Sequence, residues 1–121
     1  MPSYLLILRR DQSQPLSSPP EIMLERFTTW TRSLQEQGVL RAVERLMPAN
    51  EGTTVQIHEG EATIGGPYES ETDVIGFYLL ELENEAAAEA IAKESPILAE
   101  RGSVEIRQTQ SFLPAASGTG E

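Results

Sequence analysis

Cysteine is absent from the 121 residues, so the chain has no disulfide framework, no thiolate nucleophile and no cysteine-based metal site. Histidine occurs once, at His58, which excludes a histidine metal cluster, a two-histidine relay and a metalloprotease helix of the HExxH type. Cations are scarce as well. Nine Lys plus Arg stand against nineteen Asp plus Glu, and the net charge of -10 repels phosphate backbones and anionic lipid. Nucleic acid and membrane surfaces are therefore not expected as partners. No stretch approaches the ~20 apolar residues of a membrane helix. The opening run Tyr4 to Leu8 is short for a signal core, and its charges, Arg9 and Arg10, follow it instead of preceding it. A cytoplasmic protein is the expectation, with no metal and no cofactor.

Against these absences, 39% of the residues are hydrophobic and 23% charged, enough apolar material for one core. At this length the expectation is a single domain over 1–113, with the small, polar residues 114–121 as a flexible tail. Tyr4 to Leu8 reads as a strand because it is short, apolar and unbroken. Asp11 to Pro20, with three prolines and three serines, reads as a loop. Ser18 then suits a helix N-cap, with Pro19 at the first helical position and Glu21 completing an S-x-x-E box. Met23, Phe27, Trp30 and Leu34 recur at spacings of four, three and four, which predicts an apolar helical stripe, and Gly38 stops that helix. Val39 to Leu46 follows as a strand. Thr54 to His58 and Glu61 to Ile64, separated by Glu59-Gly60, predict a hairpin. Val74 to Leu80 reads as the most buried strand. Asn84 caps a helix over Glu85 to Lys93 that Pro96 ends, and Val104 and Ile106 alternate with Glu105 and Arg107 in a last strand.

The order β-α-β, hairpin, β-α-β is that of an α+β ferredoxin-like sandwich, an antiparallel sheet with two helices on one face. Both alternation sets of the central strands are apolar: Leu5 and Ile7 against Tyr4, Leu6 and Leu8; Ile75, Phe77 and Leu79 against Val74, Tyr78 and Leu80. Two helices cover one of those sides. Water on the other would meet an apolar patch larger than soluble monomers usually carry, so a homodimer packed sheet against sheet is expected.

YLLIL, SPPEIMLERFTTWTRSLQEQGVL, GGPYESETDVIGFYLLEL and SPILAERGSVEIR, taken in order over roughly Ser3 to Arg107, resemble the YCII-related proteins, in particular their DGPF-domain branch. The resemblance implies a dimeric α+β barrel, a fold shared by small lyases, isomerases, dechlorinating enzymes and heme-linked relatives. It also implies the company of an alternative sigma factor, a basic partner that a negative surface would suit. The Asp-Gly-Pro-Phe motif falls on Gly65, Gly66, Pro67 and Tyr68, so its carboxylate is missing. Ile97 stands where relatives often carry a histidine between Pro96 and Leu98.

The remaining candidates for chemistry are few. Arg9 and Arg10 leave the first strand beside Tyr68 and the acidic stretch Glu69, Glu71, Asp73. An arginine fork there would hold a small carboxylate, with Tyr68 as donor or proton shuttle and Asp73 as base. The plainer reading is a solvated salt-bridge group. His58 is either a base or an exposed turn residue. Trp30 and Phe27 are core residues first, and pocket lining where core and cleft meet. Gly65-Gly66 lacks the pattern of a phosphate loop. Three functions stay open: a small-molecule-binding or regulatory dimer, a cofactor-independent lyase or isomerase acting on a small organic acid through Asp73 or His58, and a relative that keeps the fold without an active centre.

Overall fold

The computed structural model describes residues 1–113, and the expected tail at 114–121 lies outside them. Strands β1 (Ser3–Arg10), β2 (Leu40–Arg45), β5 (Asp73–Glu81) and β6 (Ser103–Thr109) form one antiparallel sheet in the order β2-β5-β1-β6. Helix α1 (Pro20–Glu36) crosses from β1 to β2, and α2 (Glu85–Ala92) from β5 to β6. Each crossover skips one strand, so two split β-α-β units interlock in the ferredoxin-like arrangement. Between them, β3 (Thr54–His58) and β4 (Glu61–Gly65) pair only with each other, as a two-stranded sheet of their own.

Strand β1 alternates strictly. Tyr4, Leu6, Leu8 and Arg10 are buried under the helices, while Ser3, Leu5, Ile7 and Arg9 are half-exposed on the other side. Tyr78 and Leu80 of β5 join the buried set, with Trp30 and Leu34 from α1, Ala88 and Ala92 from α2, and Ile97. The two alanines give α2 its slim face. Leu6, Leu34 and Leu80 are almost wholly removed from water, each worth roughly 1.5–3 kcal/mol relative to an exposed side chain. The expected stripe on α1 is seated as its spacing dictates, with Met23, Trp30 and Leu34 buried and Phe27 packed at the margin. Gly38, at φ +74°, ends the helix in a conformation that suits a residue without Cβ.

Four local expectations are corrected. Helix α1 begins at Pro20, not Pro19, and Ser18 does not cap it: Pro19 holds the N-cap position in an extended conformation with no side-chain cap. The cause is the pair of prolines, whose fixed φ sets the turn, while the neighbouring Ser17 is held elsewhere by Glu100. Helix α2 stops at Ala92, with Lys93 as its C-cap, and Pro96 opens a short 3-10 turn over Pro96–Glu100. Lastly, Val74 and Ile75 exchange sides. Leu8 pairs with Gly76 and Arg9 with Val74, so Ile75 is the extra residue of a β-bulge. Ile75 packs on the core and Val74 joins Arg9 on the uncovered face.

That uncovered face carries Leu5, Ile7, Phe77 and Leu79, all half-exposed, with a polar row Arg9, Glu105 and Arg107 along its β6 side. On the helical side the close approach depends on Gly102. A Cβ there would lie 2.4 Å from Ile97 Cγ1 and 2.7 Å from the Arg9 carbonyl oxygen. Since one of those neighbours is backbone, Gly102→Ala is expected to cost about 1–3 kcal/mol, read as a lower denaturation midpoint with an unchanged slope in urea.

Candidate functional site

Two clefts draw on the residues singled out in the sequence, and they lie on opposite faces of the sheet. The first is a groove of about 650 Å³ at the end of the uncovered face, lined by Arg9, Tyr68 and Asp73 together with Met47, Thr53 and Val74. Here three of the four expected partners do meet in one place. Arg9, however, spends its guanidinium on Glu105, with Nε and Nη2 each 3.3 Å from Oε1. Tyr68 is 75% exposed and projects into solvent. No hydrogen bond joins Arg9, Tyr68 and Asp73 to one another among the described residues.

Arg10 is the member that leaves the group. Adjacent residues of a strand point to opposite faces, so with Arg9 on the open face Arg10 must pass under the helices. There it lines the second cleft, about 630 Å³ between α1 and the β2 and β5 strands. Phe27, Met23 and Leu24 of α1, and Leu8, Val43 and Ile75 of the sheet, make its walls apolar. Arg10 is only 7% exposed. Its Nη2 donates to the Gln14 carbonyl oxygen at 2.5 Å, while its Nε is buried without a hydrogen-bond partner. Such an atom leaves a desolvation cost unmet until an acceptor arrives.

Two further arginines reach the same cleft, Arg32 from α1 and Arg45 from the end of β2, both exposed. Glu44 is the only acidic residue in the lining. Three of the nine cations in a chain of net charge -10 therefore converge on one apolar hollow. Tyr78 and Thr31 add a polar pair on its wall, Oγ1 to OH at 2.6 Å. Burial raises the Tyr78 pKa above the phenolic 10.0, against the smaller opposing effect of Thr31, so the hydroxyl stays protonated and able to donate. Trp30 stands behind this wall, its ring 4.5 Å from Tyr78 and 6.3 Å from Phe27 in an edge contact.

The loop after β1 closes one end, with Gln12, Leu16 and Pro20 in the lining. A carboxylate from the far end of the chain holds it in place. Glu100 Oε1 accepts from Ser17 N at 2.6 Å and from Ser17 Oγ at 3.0 Å. These bonds, the backbone one foremost, pull the Glu100 pKa below the usual 4.5.

His58 takes no part in either cleft. It ends β3 at the hairpin turn, exposed and opposite Glu61. Gly65 closes β4, and Gly66, Pro67 and Tyr68 follow in the loop toward the first groove. Sequence reasoning passed over Tyr78, Thr31, Arg32 and Arg45. Phe27 and Thr31 are one turn apart on α1, and Thr28 and Arg32 flank them, so the helical wheel carried part of the signal. A tyrosine within the otherwise apolar VIGFYLL was another part.

Fold and clefts together define a small ferredoxin-like α+β protein with a basic hollow beneath its first helix. Over residues 3–112 the chain matches the YCII-related domain, and it belongs to that family. No curated protein matches it. None of its described helices is long and apolar enough to cross a membrane.

Two outcomes check this geometry. Tyr78→Phe removes the bond to Thr31 and is expected to lower stability by about 0.5–1.5 kcal/mol in chemical denaturation. Glu100 has a folded-state pKa below its unfolded value, so its stabilisation is present above pH 4.5 and lost as pH falls through the lower folded value. Glu100→Gln should therefore flatten the acid limb of the stability profile, measured by thermal unfolding from pH 6 down to pH 3.

Proposed function

We propose that this YCII-related protein is a homodimer that binds a small organic acid in the cleft beneath α1. The observation that carries the ligand is the gathering of Arg10, Arg32 and Arg45 in an apolar hollow of an otherwise acidic protein. Clefts lined by one sign of charge with low-dielectric walls focus the field and concentrate the opposite ion. Arg10, buried and with Nε unpaired, offers a planar fork that matches a carboxylate, and Phe27, Met23 and Val43 suit an apolar body attached to it. The Tyr78 and Thr31 hydroxyls share one bond between them, which leaves one O–H of the pair free to donate. Nothing in this cleft pairs a base with a nucleophile, so the reading is binding, and the groove of Arg9, Tyr68 and Asp73 lacks the mutual hydrogen bonds of a proton-transfer pair.

The dimer rests on the uncovered sheet face. Leu5, Ile7, Phe77 and Leu79 form one apolar field across the two central strands, and the surrounding charges are of both signs. A twofold axis parallel to the strands would set the β2 edge, with Glu44, against the β6 edge, with Arg107, in a self-complementary contact.

A thermal-shift screen of small carboxylates tests the ligand. At a hundredfold excess over its dissociation constant a bound acid raises stability by about 2.7 kcal/mol. Arg10→Gln should abolish the shift for the same acid, while Arg9→Gln should leave it intact. The reading is rejected if no acid shifts the melting temperature, or if Arg10→Gln binds as tightly as the natural chain by calorimetry. For the dimer, light scattering at micromolar concentration should give twice the chain mass, and Phe77→Glu should return it to one.

A further inference from the structure

The hairpin is the least explained part of the molecule. Its register pairs Val55 with Ile64 and Ile57 with Ala62, so these four side chains share one face. Gln56 with Thr63 and His58 with Glu61 occupy the other. The hairpin is thus sharply two-sided, and its apolar side is bare: Val55 is 64% exposed, Ile57 70% and Ile64 77%. Neither strand pairs with the main sheet, so nothing in its own chain covers that face among the described residues. A lone two-stranded hairpin is at best marginally stable in water. An apolar face of this kind on such an element calls for a surface to lie on.

We propose that the β3–β4 hairpin is an exchanged arm, whose Val55, Ile57 and Ile64 pack on a second copy of this chain. The inference rests on the homodimer proposed above and adds to it a second, separate contact. Two observations favour a copy of the chain as the occupant. The first is position. Gly52 and Thr53 before the arm and Tyr68 and Ser70 after it line the same groove as Arg9, Asp73 and Val74, so the arm is rooted at the rim of the uncovered sheet face. Its root therefore adjoins the surface that the dimer would bury.

The second is area. Four strands ~4.8 Å apart and about seven residues long give a sheet face of roughly 450 Å² in projection. A stable specific interface buries about 800 Å² of accessible surface on each partner, so a sheet face of this size gains from any adjoining contact. An arm of two five-residue strands projects roughly 160 Å² more. Twofold symmetry makes each subunit both donor and acceptor of an arm, so the arm enlarges the interface twice over.

Amide hydrogen exchange across the dimer's dissociation range tests the arm with the intact protein. The Val55 to Ile64 amides should exchange at least tenfold more slowly in concentrated dimer than in dilute monomer or in the Phe77→Glu monomer. The double variant Ile57→Thr, Ile64→Thr keeps β-branched residues at exposed positions, so it should fold normally and dissociate at least tenfold more readily in sedimentation equilibrium. A dimer whose hairpin amides exchange as fast as in the monomer, or whose dissociation constant the double variant leaves unchanged, overturns the arm and leaves the sheet-face dimer standing. Hairpin amides already slow in the monomer overturn it as well. If the double variant separates the subunits and Phe77→Glu does not, the arm stands and the sheet-face contact fails. A chain that stays monomeric at every concentration rejects both.

Discussion

The pairing of β1 with β5 governs this molecule, because both strands are apolar on both sides while the crossover helices can occupy only one. Leu6 opposite Tyr78 and Leu8 opposite Gly76 lie under α1 and α2, and Ile7 opposite Phe77 and Leu5 opposite Leu79 lie on the far side. Burial of the first set closes the core around Leu6, Leu34 and Leu80. The second set leaves the other side of the sheet apolar and half-exposed. Even the division of Arg9 from Arg10 follows from the same alternation: two neighbouring cations at the end of one strand are sent to opposite faces, one to the rim of a groove paired with Glu105, the other beneath the helix with Nε left bare.

Much of the fold was legible because its signals are local. Spacing placed the apolar stripe of α1, the Asn84 side chain accepts from Ala87 N as its position suggested, and Glu59-Gly60 marks the hairpin turn. The misplaced details share a cause, namely that they depend on contacts between distant parts of the chain. Ser17 binds Glu100 from the other end of the sequence, and that tether, with Pro19 and Pro20, settles where α1 begins. The bulge at Ile75 depends on how β1 and β5 slip past one another, which no window of sequence reveals. The candidate site was half legible for the same reason. Arg9, Tyr68 and Asp73 were grouped from strand ends and do share a groove, yet Arg32 and Arg45 become neighbours of Arg10 only once α1 has been laid against β2.

The cleft beneath α1 combines features that usually oppose each other. Its walls are apolar enough to strengthen any electrostatic contact inside, and its floor holds a cation that has already been dehydrated by folding. The Gln14 carbonyl fixes one arm of the Arg10 guanidinium, so orientation is set before any ligand arrives. With the Tyr78 hydroxyl braced by Thr31 on the neighbouring wall, the polar groups are few and held, while the hydrocarbon lining is broad.

The connectivity of the β3–β4 hairpin has a bearing on how such a molecule diversifies. It is inserted in the single link between the two interlocked β-α-β halves, after β2 has paired and before β5 begins, so it interrupts no rung of the four-stranded ladder. Its two strands contribute no residue to the lining of the hollow under α1, whereas Leu46 and Pro48 ahead of it do. The hairpin and the hollow are thereby written in separate stretches of the chain and can change independently across generations.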